Sequence, residues 1–233
     1  RARFRQIPDR PNRTISAFQS ELQQAFAYFA AQGANELVLD LRYNGGGLIR
    51  VANQLSTQIA QSAVLNQVFI KYQYNDKNTA KNTTTRFSLG QGQTVLNLDR
   101  VFVLTTDGTC SASEMVINSL SPFVDVVQVG SRTCGKPVGM QPDLIGNYVL
   151  FAINFQTVNA LDQGDYFDGL APTCAATDTI VGDWGVNSDP LYAEARQYIA
   201  SGQCSDVAVS SASVRAPEAK IKLGAPWLQN NEQ

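Results

Sequence analysis

Twice in this chain a short, almost wholly apolar run ends at a turn and passes into a segment with apolar residues at helical spacing. The run at 37–41 (LVLDL) is broken by Asn44, Gly45, Gly46 and Gly47, after which Val51, Leu55 and Ile59 recur every fourth residue. The run at 101–104 (VFVL) reaches a turn at Asp107 and Gly108, and 111–120 then reads as a helix ended by Pro122. Runs with no polar alternation suit strands buried on both faces. Strand, turn and helix in succession imply an α/β sheet.

The rest of the chain fits that frame. Phe18, Leu22, Phe26 and Phe29, with Gly33 as a stop, predict a helix over 14–32. Strands are expected at 64–74, 124–129 and 148–153, and the polar stretch from 75 to 85 reads as a hairpin tip or loop. Asp189 and Pro190 offer an N-cap and first-turn proline for a helix running to about 200, with Gly202 beyond. Residues 1–204 are expected to form one core and 205–233 an irregular C-terminal extension.

Composition narrows the chemistry. Of 233 residues 44% are hydrophobic and only 16% charged, so a charged side chain in an apolar setting is informative. Net charge is −2, from 18 Lys and Arg against 20 Asp and Glu, with no basic stripe, and a nucleic-acid partner is not expected. The chain has no histidine. That removes the usual general base and the commonest metal ligand, and with them Ser-His-Asp, Cys-His and His-based zinc sites. No serine has lysine three residues on, and no Gly-x-Ser-x-Gly elbow occurs. No apolar run reaches the length of a membrane span, and no signal-like segment opens the chain. Neither metal nor cofactor is expected. Cys110, Cys134, Cys174 and Cys204 form no CxxC pair and allow three pairings if oxidised.

Three segments can carry chemistry. DLRYNGGGL, from Asp40 to Leu48, places three consecutive glycines after a strand, where the backbone either closes a tight turn or presents N–H groups to a ligand. In TDGTCSASEMVINSL, from Thr105 to Leu120, Ser111 and Glu114 match a capping box, and the same geometry sets a serine beside the N–H groups an oxyanion needs. Lys136, in TCGKPVG, is either an exposed turn residue or a desolvated amine able to take a serine proton.

Together the blocks DLRYNGGGL, CSASEMVINSL and VVQVGSRTCGKPVG resemble those of the C-terminal processing, or tail-specific, proteases, which are Ser/Lys peptidases. In that family the lysine follows the nucleophilic serine by 25 residues, and Ser111 and Lys136 stand at that spacing (136 − 111 = 25). The resemblance covers roughly residues 18 to 175. It implies a crotonase/ClpP-like core of repeated ββα units, with the PDZ-like module of the family absent from this chain. It also implies an oxyanion hole from the amide of Ala112 and a glycine of the triple, Gly46, and a glutamine that orients the lysine. Here Cys134 stands where the family commonly has an aromatic residue, Pro137 replaces a glycine, and the nearest glutamine, Gln141, lies one residue late.

If the resemblance brings Ser111 and Lys136 together, it brings Cys110 near Cys134 and leaves Cys174 to pair with Cys204, the alternative being four buried thiols. The implied function is a bacterial extracytoplasmic serine endopeptidase, periplasmic or lipoprotein-anchored, acting on exported polypeptides. A non-catalytic peptide- or lipid-binding scaffold on the same fold is the alternative.

Overall fold

The structure, a computed structural model, describes residues 15–205; the opening segment and nearly all of the C-terminal extension lie outside the described residues. Its helices are α1 (Ile15–Ala31), α2 (Ile49–Ile59), α3 (Ala112–Leu120) and α4 (Pro190–Ser201). The strands are β1 (Val38–Asp40), β2 (Val68–Gln73), β3 (Thr83–Arg86), β4 (Arg100–Thr105), β5 (Asp125–Gly130), β6 (Val138–Ile145), β7 (Tyr148–Val158) and β8 (Cys174–Ala175). They form a parallel sheet in the order β1-β4-β5-β8 and an antiparallel one in the order β3-β2-β7-β6. The expected α/β class is what the structure has.

The near-continuous apolar runs are explained by burial on both faces of the parallel sheet. Val101 and Val103 of β4 join Leu37, Leu39, Val116 and Leu120 in one core cluster, while Phe102 and Leu104 pack with Val127, Val129, Leu191 and Ala195 in another. Adjacent residues of β4 thus face opposite layers, α3 on one side and α4 on the other, and no polar alternation is tolerated. Every residue of α3 is buried, although Ser113, Glu114, Asn118 and Ser119 are polar. A wholly buried helix start is where the placement of each polar group matters most.

The antiparallel sheet departs from expectation in four places, the simplest being that the strand expected at 148–153 runs on to Val158 as β7. The strand expected from 64 begins only at Val68, because Ser62–Val64 form a 3₁₀ turn. The polar stretch holds 3₁₀ turns at Asp76–Lys81 and then β3, whose Thr-rich sequence suits a pleated edge strand, paired with β2. β6 was not anticipated, since it contains Gly139 and Pro142; as the sheet's edge strand it can spare the N–H that Pro142 lacks. β6 and β7 continue past the core as a two-stranded arm exposed throughout 141–150, with Leu144 82% and Tyr148 79% accessible.

The parallel sheet sets the position of everything that follows. Its strands end at Asp40, Thr105, Gly130 and Ala175, and the segments leaving those ends share one edge of the sheet, where α/β folds assemble sites.

Candidate active site

Three of those segments are the blocks singled out in the sequence, and the structure brings them together. Asn44 is the joint between the first two. Its carbonyl accepts the Cys110 amide at 3.1 Å and the Ser113 hydroxyl at 2.9 Å, and its Oδ1 accepts both that hydroxyl and the Gly46 amide. Gly46, at φ +107°, lies flat against the serine: a Cβ there would stand 2.8 Å from the Ser111 Cβ and 2.9 Å from the Ala112 nitrogen. Glycine is required at this point both by φ and by space. The Gly46 amide points at Asn44 in this structure, so serving an oxyanion requires the turn to re-aim it.

Ser111 stands at the head of α3 with φ 57° and ψ −116°, a conformation that residues other than glycine rarely adopt. Holding it there costs on the order of 1–3 kcal/mol, so the surrounding contacts must over-determine it. Glu114 supplies the restraint. It closes the expected capping box with Ser111 and does considerably more. The side chain is fully buried, and its Oε2 accepts the amides of Ser111 and Lys136, each at 2.9 Å. Its Oε1 accepts the Thr133 hydroxyl at 2.6 Å and the Gly135 amide at 2.8 Å. One carboxyl group therefore fixes the backbone at both Ser111 and Lys136. Burial first, and then the neighbouring Glu114 charge, push the Tyr166 phenol up, so it stays neutral beside that group.

The lysine segment is anchored from its other side too. Cys134 donates its amide to the Thr109 carbonyl, and Thr133 exchanges hydrogen bonds with the backbone of Leu170. Gly135, at φ +82°, passes so close to the Phe167 carbonyl that a Cβ would lie 2.2 Å from its oxygen. The Lys136 side chain is half-buried and, among the described residues, has no hydrogen-bond or ion-pair partner. No hydrogen bond joins its amine to the Ser111 hydroxyl. Gln141 is not brought to the lysine either: it is exposed on β6 and accepts the Tyr74 hydroxyl at 3.1 Å.

The cysteines fall into two pairs at bonding distance, Cys110 with Cys134 and Cys174 with Cys204, with Cα separations of 5.3 and 5.4 Å. The first pair joins the residue before Ser111 to the lysine segment.

Sequence reading passed over Arg42, Asn44, Thr133 and Asp178. Arg42 is a fully buried guanidinium paired with Asp40, Asp178 and Asp189, and a charge adjoining the apolar run at 37–41 was the available signal for it. Asn44 and Thr133 carried no comparable mark, since the partners that give them their roles, Cys110 and Ser113 for Asn44 and Glu114 and Leu170 for Thr133, lie far off in sequence.

An α/β core that holds a serine in a rare conformation at a helix head, against a glycine turn and beside a lysine-bearing loop, has the architecture of a serine-type peptidase domain. The chain belongs to peptidase family S41, whose model matches residues 12–175. It is similar to a Staphylococcus epidermidis protein named a probable CtpA-like serine protease, 30% identical over 129 residues that make up 54% of this chain and 25% of that protein. A chloroplastic C-terminal processing peptidase of Tetradesmus obliquus is 30% identical over 114 residues, 49% of this chain and 22% of that one. Among solved structures, a Bacteroides fragilis protein described as an S41 protease aligns at TM-score 0.75 and 34% identity, over 82% of this chain and 51% of that chain. The photosystem II D1 C-terminal processing protease shares the fold at TM-score 0.56 and 22% identity, over 70% of this chain and 40% of that one. The chain thus spans about a quarter of the length of the curated relatives it matches. No helix among the described residues is long and apolar enough to cross a membrane.

Proposed function

We propose that this chain is the catalytic core of a tail-specific serine endopeptidase that hydrolyses exported polypeptides. Ser111 is the nucleophile and Lys136 the general base. The observation that carries this reading is the single buried carboxyl group of Glu114 holding the amides of both residues. A binding scaffold has no need of a serine held at unfavourable φ and tied to an otherwise unpartnered lysine. In the reaction the neutral Lys136 amine takes the Ser111 proton as Oγ bonds to the substrate carbonyl carbon. The oxyanion faces the Ala112 amide and the Gly46 turn, with the helix N-terminus behind it. The amine returns its proton to the leaving nitrogen as the C–N bond breaks, and then activates the water that releases the acyl group. Proton transfer needs the amine about 3 Å from Oγ. The lysine side chain, which has no partner among the described residues, has to swing to that position. Gln141 orients the lysine only if it leaves Tyr74.

The test is hydrolysis of an unstructured protein by the wild-type chain and by Ser111→Ala. Activity that vanishes in the variant while its circular dichroism and melting match wild type supports the reading. Comparable turnover by the variant sinks the mechanism. Peptide binding without hydrolysis in both would favour the scaffold, which shares the missing Ser111–Lys136 hydrogen bond.

Both cysteine pairs are oxidised in the working protein, which is extracytoplasmic, because such pairs persist in oxidising compartments. Peptide mapping without reductant is expected to recover Cys110 linked to Cys134 and Cys174 linked to Cys204. Four alkylatable thiols in native exported protein would refute this.

A further inference from the structure

Three of the four segments leaving the carboxyl edge of the parallel sheet are accounted for by the proposed chemistry. The fourth, 176–189 after β8, is bound to the first by a buried charge cluster. The Arg42 guanidinium meets Asp40 at 2.6 Å, Asp189 at 2.9 Å and Asp178 at 3.0 Å, and its side chain is 1% exposed. Asp189 also caps α4 through the amides of Leu191 and Tyr192 and accepts the Gly185 amide. Burial opposes its ionisation, but those amides and Arg42 outweigh it and hold the carboxyl below the usual range. Tyr43 donates its hydroxyl to Asp178. That bond, with burial and nearby charge, pushes the phenol up to about 12.

On top of this cluster lie two aromatic rings. Trp184 sits 5.0 Å over the Arg42 guanidinium, and its ring centroid is 5.5 Å from that of Tyr43. Their undersides are fixed by the charges, yet Tyr43 remains 55% and Trp184 40% exposed. Tyr43 adjoins Asn44, whose carbonyl accepts the Cys110 amide one residue before Ser111. A network serving only to staple 176–189 in place has no need to present two large rings to solvent. Apolar groups of similar volume would staple as well, without the desolvation of four charges. Rings held rigid from below lose little freedom on meeting a ligand, which suits them to binding.

We propose that Tyr43 and Trp184 form a substrate ledge that takes a bulky apolar or aromatic side chain flanking the scissile bond and disfavours an acidic one. Selectivity against acid follows from the charge beneath the rings: three carboxylates against one guanidinium, a net formal charge of 1 − 3 = −2. This rests on the peptidase reading for the position of the scissile bond, and Arg42 acts in it as a positioning residue.

The test has two independent arms. In the first, wild type, Trp184→Phe and Trp184→Ala are compared on peptides that carry Phe, Leu, Ala or Glu in turn on each side of one cleavage site. Trp184→Ala should lower kcat/KM for the Phe and Leu peptides about 10-fold more than for the Ala peptide, and Trp184→Phe should restore most of the difference. The second arm needs no turnover. The chain has two tryptophans, Trp184 and Trp227, so in Ser111→Ala/Trp227→Phe the indole fluorescence reports Trp184 alone. The Phe peptide should shift that fluorescence saturably and the Glu peptide should do so at least 10-fold more weakly. Hydrolysis by wild type with unchanged selectivity in Trp184→Ala and no fluorescence response overturns the ledge and leaves the peptidase reading standing. A fluorescence response in a chain that never hydrolyses removes the peptidase and the scissile bond with it, and overturns the ledge as a substrate subsite, leaving the two rings a peptide-binding surface. Absence of both removes both.

Discussion

Lys136→Arg is expected to abolish peptidase activity while leaving the fold untouched. Arginine keeps the charge and nearly the reach of lysine but does not give up its proton at any usable pH, so it cannot accept one from Ser111. Loss of a general base costs about 10²- to 10⁴-fold, and kcat/KM should fall at least to that extent. Stability should change little, because only the backbone amide of Lys136 is engaged, by Glu114, and the side chain has no partner among the described residues. Substantial turnover by a correctly folded Lys136→Arg would remove the lysine from the reaction and leave it a structural or electrostatic role.

Glu114→Gln is expected to damage both stability and turnover. The carboxyl group only accepts, and four donors converge on it: the amides of Ser111, Gly135 and Lys136 and the Thr133 hydroxyl. A glutamine keeps one accepting oxygen and turns its NH₂ group either toward the Ser111 and Lys136 amides, neither of which can accept, or toward the Gly135 amide and the Thr133 hydroxyl, of which only the hydroxyl can. One or two buried amides lose their partner, at about 1–3 kcal/mol each. For a chain of this size a loss of roughly 1–6 kcal/mol lowers the melting temperature by about 2–24 °C, at about 2–4 °C per kcal/mol. Activity should fall in the surviving folded fraction as well, because the strained backbone at Ser111 is released. A melting temperature within a degree or two of wild type, with full activity, would show that Glu114 is an ordinary helix cap and nothing more.

Much of this site was readable in the sequence because its parts are local. A glycine triple after an apolar run, Ser111 with Glu114 three residues on, and the 25-residue step to Lys136 are patterns within single segments. The capping box was found, but not its reach. That Glu114 also holds Gly135 and Lys136 depends on how β4 and β5 pair, Thr105 opposite Gly130, which no local pattern states. The positive φ of Ser111 was hidden for a related reason, since tertiary contacts impose it against the residue's own preference. Gln141 shows the opposite failure. It was singled out for its nearness in sequence to Lys136, yet β6 presents it to Tyr74. In the fold, β6 and β3 escaped because edge strands tolerate proline and polar residues that central strands do not.

The order in which the cysteines pair bears on how such a chain reaches its native state. First joins second and third joins fourth, across sequence separations of 24 and 30 residues. In a chain delivered N-terminus first into an oxidising space, Cys134 arrives before Cys174, and Cys110 can meet its native partner while no other choice has yet emerged. The second loop then closes from the two remaining sulfurs. Each closure removes about 3.5 kcal/mol of unfolded-state freedom in the chain-entropy view. If the chain is exported and both pairs are oxidised as proposed, vectorial emergence selects one of the three possible pairings by timing, and maturation in a strain lacking disulfide isomerase should proceed at an undiminished yield.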